Sequence, residues 1–114
     1  MRLTTSVLVG GLLRKAEAQG GFAAVLAKGD PTAGAVIVIL VERGGGQQIL
    51  ERILQPDGAY KWQETTSQLV EKTTKSEEIP AFVARRRRFD PDLWVLELDI
   101  PSAERFAAEM NDER

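Results

Sequence analysis

The longest apolar run in the chain, Ala35–Val41, is the feature that most limits how the chain can fold. Its sequence, AVIVILV, is rich in valine and isoleucine, whose branching at Cβ favours a strand. The run is far shorter than the roughly 20 apolar residues that a membrane-spanning helix needs. Because every position is apolar, both faces of this strand should be covered. We expect a strand over 33–43, with helices on one face and a second subunit as a candidate cover for the other.

The other segments of the 114-residue chain fit a single α+β domain over 1–114. In chain order the predicted elements are a helix over 5–19, strands over 22–28, 33–43, 47–55 and 59–64, a polar loop over 65–75, a helix over 76–89, a strand over 93–100 and a short helix after 101–102. This order, α-β-β-β-β-α-β-α, predicts an antiparallel sheet of about five strands with the helices packed on one face. The last helix is anchored by Phe106 and Met110, and a tail within 105–114 is expected to fray.

Two segments leave alternatives open. Residues 47–55 (QQILERILQ) fit a strand or one face of a helix, and the turn residues on either side favour the strand. Gly10 and Gly11 lie inside the helix predicted over 5–19, where each costs about 1 kcal/mol relative to alanine. The pair indicates close packing against a neighbouring element, with a ligand site as the alternative.

The composition excludes several chemistries. The chain has no cysteine and no histidine, so serine–histidine–acid triads, cysteine–histidine pairs and histidine-ligated zinc are impossible. A formal net charge of −2 provides no global positive field for nucleic acid. Residues 28–34 (KGDPTAG) lack the spacing of a phosphate-binding loop and are predicted to form a hairpin turn. No cofactor is predicted.

Four consecutive arginines, Arg85–Arg88, end the helix predicted over 76–89. Successive helical residues are about 100° apart, so the four side chains cannot share one face. Arg85, Arg87 and Arg88 are predicted to be solvated, and they form a possible polar patch for weak nucleic-acid binding.

Arg86, in contrast, falls near the centre of the apolar face of that helix. A guanidinium that is buried there needs a carboxylate or carbonyl partner. We predict a structural ion pair between Arg86 and either Glu97 or Asp99 of the following strand.

The carboxylates of Asp90 and Asp92 are weak candidates for a hard-cation site, together with Glu97 or Asp99. Because a proline lies between the two aspartates, turn chemistry is the favoured interpretation and no metal is predicted. Lys61, Trp62 and Trp94 can form an aromatic ligand surface, but tryptophan in a strand is more often core.

Three quoted stretches carry a family resemblance: RLTTSVLVGGLLRKAE, GGFAAVLAKGDPTAGAVIV and RRFDPDLWVLELD. From Arg2 to about Ile100 the chain resembles short bacterial proteins grouped as domain of unknown function 1491. The resemblance implies a small cytoplasmic bacterial protein and supplies no activity and no functional residue.

We therefore expect a non-catalytic binding or assembly module of a bacterial cytoplasm, which pairs with itself as a homodimer or with another protein. The first alternative is a carboxylate-based, metal-assisted enzyme around Asp90, Asp92 and Arg86. The second is a nucleic-acid binder through Arg85–Arg88, which the acidic composition disfavours. The first residues faintly resemble a signal peptide, but Arg14 and Lys15 interrupt that pattern, so a structural helix and no membrane association are expected.

Overall fold

The apolar run becomes the central strand of a five-stranded sheet. A computed structural model describes residues 3–43, 45, 47–64 and 78–112. The elements described are α1 (Thr5–Ala18), β1 (Phe22–Ala27), β2 (Val36–Glu42), β3 (Gln47–Leu54), β4 (Tyr60–Glu64), α2 (Glu78–Phe89), β5 (Trp94–Ile100) and α3 (Ala103–Asp112). The loop predicted over 65–75 and the helix start predicted at 76 lie outside these residues. None of the described helices is long and apolar enough to cross a membrane.

The strands lie in the order β1-β5-β2-β3-β4, which confirms an α+β domain with five strands. The sheet is mixed, because β5 runs parallel to β2 while the other three pairs are antiparallel. The expectation of a purely antiparallel sheet is therefore wrong at one pair. The reason is the connection from β4 to β5, which contains α2 and is long enough to return the chain in the parallel sense.

Helices cover both faces of the sheet, so the prediction of helices on one face is wrong. Side chains on one face of β2 pack with α1 and α3, and those on the other face pack with α2. The first cluster includes Val36, Val38, Leu40, Leu12, Ala16 and Phe106, and the second includes Ile37, Ile39, Val41, Ile79 and Phe82. One chain thus buries both faces of its most apolar strand, and no second subunit is required for that purpose.

The loop between β1 and β2 is not the predicted hairpin turn, because β5 lies between the two strands. The loop crosses the start of β5 and is bonded to it. The backbone N–H of Asp30 donates to the carbonyl of Asp92 at 3.1 Å, and the indole Nε1 of Trp94 donates to the carbonyl of Asp30 at 2.8 Å. A Cβ atom at Gly29 or Gly34 would overlap the carbonyl oxygen of Asp92, so this close approach requires glycine.

Of the remaining local predictions, one is confirmed and two are wrong. Residues 47–54 form a strand, with Ile49 opposite Ile39 of β2. The expected frayed tail is instead helical from 105 to 112, because Phe106 and Met110 are buried against the sheet. The expected close packing of Gly10–Gly11 against a neighbouring element is wrong: among the described residues, a Cβ atom at Gly11 would have no neighbour within 4 Å, and the nearest atoms to one at Gly10 belong to Arg14 of the same helix, at 3.3 Å.

Candidate functional site

Arg86 of α2 forms an ion pair with Glu51 of β3. Its Nη1 and Nη2 donate to Oε1 and Oε2 of Glu51 at 3.0 and 2.7 Å, and the two side chains are 32% and 19% exposed. These hydrogen bonds raise the pKa of Arg86 above its ordinary value, so its charge is retained. Arg86 therefore has a carboxylate partner, but it is neither of the two predicted residues, Glu97 and Asp99.

The geometry of α2 explains that difference. Arg86 points toward β3, whereas Glu97 lies with Arg87 in a cavity on the side of β1. Glu51 is in the segment 47–55, whose assignment from sequence was open between strand and helix. As a strand paired to β2, this segment places Glu51 opposite Ile37, on the face that α2 covers.

The other three arginines do not form one surface. Arg87 is half-buried and its Nη2 donates to the carbonyls of Lys28 and Pro91 at 3.2 and 3.0 Å, which ties α2 to the loop before β2. Arg85 and Arg88 are exposed. Only two members of the predicted polar patch are thus solvated as expected.

Asp90 and Asp92 have the turn roles expected of them. Oδ1 of Asp90 accepts a hydrogen bond from the N–H of Asp92 at 3.2 Å, and the carbonyl of Asp90 accepts one from Leu93 at 3.1 Å. In the described part of the chain, no three acidic residues are grouped so that they could hold a metal ion. Arg86, the third residue named for a carboxylate enzyme, is bonded to Glu51 and also interacts electrostatically with Asp90.

The two tryptophans belong to the core rather than to a ligand surface. Trp62 and Trp94 are 7% and 4% exposed, while Lys61 is exposed on the opposite face of β4. A cavity of about 400 Å³ lies nearby, between the start of α1 and Tyr60. Beside this cavity, the N–H groups of Thr5 and Ser6 at the start of α1 donate to carbonyls of the loop before β2.

The two edges of the sheet differ strongly. On the outer strand β4, the side-chain amide of Asn111 from α3 pairs with the backbone of Trp62. The N–H of Trp62 donates to Oδ1 of Asn111 at 2.7 Å, and Nδ2 of Asn111 donates to the carbonyl of Trp62 at 3.0 Å. Exposed Lys61 and Glu64 add charge to the same edge. Side-chain coverage and charge both discourage another strand from pairing there.

Among the residues that the structure describes, the opposite edge, β1, has neither a covering side chain nor a charge. Its sequence FAAVLA carries no charge, and Phe22, Val25 and Leu26 are 77%, 42% and 51% exposed. No other described strand lies on its outer side. A bulge between Val25 and Ala27 interrupts the pairing with β5, so the regular part of the edge is 22–25. The sequence predicted this strand but contained no local signal that it would be an edge.

A groove of about 420 Å³ adjoins this edge, between β1 and α2. Leu26, Ala27, Ile39 and Val83 make its walls largely apolar. Glu97 of β5 also lines it, half-buried and without an ion-pair partner in the described chain. We call β1 and this groove together the β1 edge site.

The fold and this site define a small α+β protein with one protected and one unprotected sheet edge. The chain belongs to the family described as protein of unknown function DUF1491, whose sequence profile matches residues 3–108.

Solved structures of three similar chains have the same fold. A crystal structure of a DUF1491 family protein from Caulobacter crescentus CB15 is 34% identical, with 92% of this chain and 94% of that chain covered and a TM-score of 0.79. An NMR structure of a DUF1491 family protein from that organism is 34% identical, with 93% of this chain and 93% of that chain covered and a TM-score of 0.77. The solution structure of an A. tumefaciens protein is 32% identical, with 93% of this chain and 92% of that chain covered and a TM-score of 0.74. No curated protein matches the chain.

Proposed function

We propose that this protein is a non-catalytic binding module of a bacterial cytoplasm, and that it adds an extended segment of another protein to the outer side of β1. The observation that carries the proposal is the β1 edge itself: six residues without a charge, three of them with large exposed apolar side chains. Its relatives from bacteria support the bacterial setting.

Strand addition uses the chemistry that this edge offers. The backbone N–H and C=O groups on the outer side of an edge strand are free to continue the ladder, and alternate side chains of the added segment find contacts on each face. Soluble proteins normally protect such edges with charge, proline, a covering element or a bulge, and on β1 the bulge leaves only 22–25 regular. This protein protects β4 with Asn111 and leaves β1 apolar, so the difference between its two edges supports a binding role for β1.

A second candidate is self-association through the same strand. If two sheets join about a two-fold axis that passes beside Ala24, then Ala23 of one copy lies opposite Val25 of the other, and Phe22 and Leu26 lie at the two ends of this pairing, Leu26 within the bulge. Phe22 and Leu26 are the two most exposed apolar side chains of β1. The exposure of these two side chains is the observation that favours a homodimer.

The test compares a charge on each edge. Val25→Lys places a lysine on β1, and Gln63→Lys is the matched control on β4. The probe is a capped peptide, Val-Thr-Val-Thr-Gln-Thr-Val-Thr-Val, at millimolar concentration, and the readout is hydrogen exchange of the β1 amides by NMR. We expect the peptide to slow exchange at 22–25 in the wild type and in Gln63→Lys, but not in Val25→Lys.

Unchanged exchange at 22–25 in the wild type would reject strand addition. If Val25→Lys does not fold, Phe22→Lys replaces it, because a side chain that is 77% exposed contributes little packing. Light scattering across a dilution series identifies the homodimer: a concentration-dependent dimer that Val25→Lys dissociates would favour self-association over a foreign segment.

A further inference from the structure

We infer that the segment bound at the β1 edge site carries a lysine or arginine opposite Ala24, and that this side chain pairs with Glu97. The inference rests on the proposed function and specifies the chemistry of its partner. It follows from the position of one carboxylate relative to the edge.

Glu97 is a half-buried carboxylate in largely apolar surroundings. It lines the groove beside Leu26 and Ile39, and it has no ion-pair partner in the part of the chain that is described. Arg87 lines the same groove, but its Nη2 is bonded to the carbonyls of Lys28 and Pro91. A carboxylate in such a setting is most favourable when a bound partner supplies a cation.

The strand register places Glu97 within reach of an added segment. Glu97 lies directly opposite Ala24 in the pairing of β5 with β1, so the two side chains share a face. Strands are about 4.8 Å apart, which puts a residue opposite Ala24 roughly 10 Å from Glu97 between backbones. A long basic side chain spans that distance, and the methyl group of Ala24 does not block its path.

The neighbouring positions define the rest of the segment. Phe22 lies two residues before Ala24 on this face, and Leu26, within the bulge, lines the groove that Glu97 also lines; both side chains are exposed. Residues of the added strand that are two positions away from the cation therefore meet apolar surface. The expected pattern is apolar, any residue, basic, any residue, apolar. Asp99 lies opposite Phe22 and is half-buried, which adds negative charge to this face.

A second copy of β1 does not supply this cation, because its six residues are uncharged. In the two-fold arrangement about Ala24, the Glu97 side chains of the two copies lie on one face of the joined sheet with alanines between them. The two Glu97 residues are then about 14 Å apart between backbones, and neither copy supplies a cation to them. Charge complementarity therefore favours a basic segment of another protein over self-pairing.

The experiment uses the same peptide scaffold, with one of three different residues at its central position. The probes are Val-Thr-Val-Thr-Xaa-Thr-Val-Thr-Val with lysine, glutamine or glutamate at the centre. Dissociation constants are measured by NMR titration on the wild type, Glu97→Gln and the control Glu64→Gln, which removes an exposed carboxylate from the opposite edge. We expect the lysine peptide to bind the wild type and Glu64→Gln about tenfold more tightly than the glutamate peptide, and the preference to vanish in Glu97→Gln.

The two proposals fail in different ways. If all three peptides bind equally to the wild type and Val25→Lys abolishes their binding, strand addition stands and the cation pairing is wrong. A lysine preference that persists in Glu97→Gln also overturns the pairing. If no peptide slows exchange of the β1 amides, the proposed function itself is wrong and the pairing fails with it.

Discussion

Arg86 and Glu51 join helix α2 to strand β3 through two parallel hydrogen bonds of 3.0 and 2.7 Å. Paired donors of this kind are the strongest geometry available to a guanidinium and a carboxylate. The ion pair fastens the helix at its C-terminal end, where Arg87 also holds the loop before β2. The covering of one whole sheet face thus depends partly on polar contacts.

Arg86→Leu should lower the free energy of unfolding by about 1–2 kcal/mol, because it leaves Glu51 partly buried without its cation. The loss of stability is small because Arg86 is about a third exposed, so solvent partly screens the ion pair. Urea denaturation measures the change, and Arg88→Leu is the control at an exposed arginine. An Arg86→Leu protein as stable as the wild type would show that Glu51 does not need its partner.

Glu109 should contribute stability that is lost in acid. Its carboxylate accepts hydrogen bonds from Gln19 at 3.0 Å and Arg105 at 3.2 Å and lies 3.6 Å from Lys15, and these contacts lower its pKa below the ordinary 4.5. A lowered folded-state pKa stabilises the fold above the unfolded-state pKa and ceases to do so as pH falls through the folded-state pKa.

Glu109→Gln should therefore reduce the melting temperature at neutral pH, and the difference from the wild type should shrink below about pH 4.5. Melting curves from pH 7 to pH 3 provide the measurement. Glu17→Gln, at an exposed carboxylate of α1, is the control. A difference that stays constant across this range would contradict the assigned contacts.

Much of the architecture could be predicted because it follows from local pattern. The Cβ-branched run predicted β2. Helical spacing with flanking glycine and proline predicted the bounds of α1, α2 and α3 to within a few residues. The strand order could not be predicted, since the insertion of β5 between β1 and β2 depends on contacts distant in sequence. For the same reason the residues of the loop 28–34 predicted a hairpin turn, which the insertion of β5 rules out.

In the candidate site too, local pattern predicted some features, and others depend on contacts distant in sequence. Local spacing predicted that Arg86 faces inward and that Asp90–Pro91–Asp92 forms a turn. It could not select Glu51 over Glu97 as the partner of Arg86, because that choice depends on which side of α2 faces β3. It also could not show that β1 is an edge, which is a property of the whole sheet.

Gly11→Ala should stabilise the protein by about 0.5–1 kcal/mol, because alanine has the higher helix propensity and its Cβ meets no atom of the described residues within 4 Å. For a domain of this size the melting temperature should rise by roughly 2–5 °C. Calorimetry measures it. A lower melting temperature would indicate that Gly11 has a role that the structure does not explain.

Gly34→Ala is the matched opposite case and should destabilise the fold by about 2 kcal/mol or more. Its Cβ would overlap the carbonyl oxygen of Asp92 and contact the carbonyl of Asp30 at 2.9 Å, and neither backbone group can move without breaking the bonds that hold the loop to β5. Calorimetry alongside Gly11→Ala tests both. A neutral result at Gly34 would mean that the loop packs less closely than described.

Asn111→Ala should weaken the protected edge of the sheet. It removes both hydrogen bonds to the backbone of Trp62 and leaves those groups to water, at a cost of about 1–2 kcal/mol. Asn111→Asp keeps the oxygen that accepts from the N–H of Trp62 but places a carboxylate oxygen, instead of the amide donor, against the carbonyl of Trp62. Two acceptors repel each other, so this variant should be no more stable than Asn111→Ala. Denaturation curves rank the three proteins, and hydrogen exchange at Trp62 localises the change. If Asn111→Asp is as stable as the wild type, the donor contributes nothing and the amide is not acting as a substitute strand.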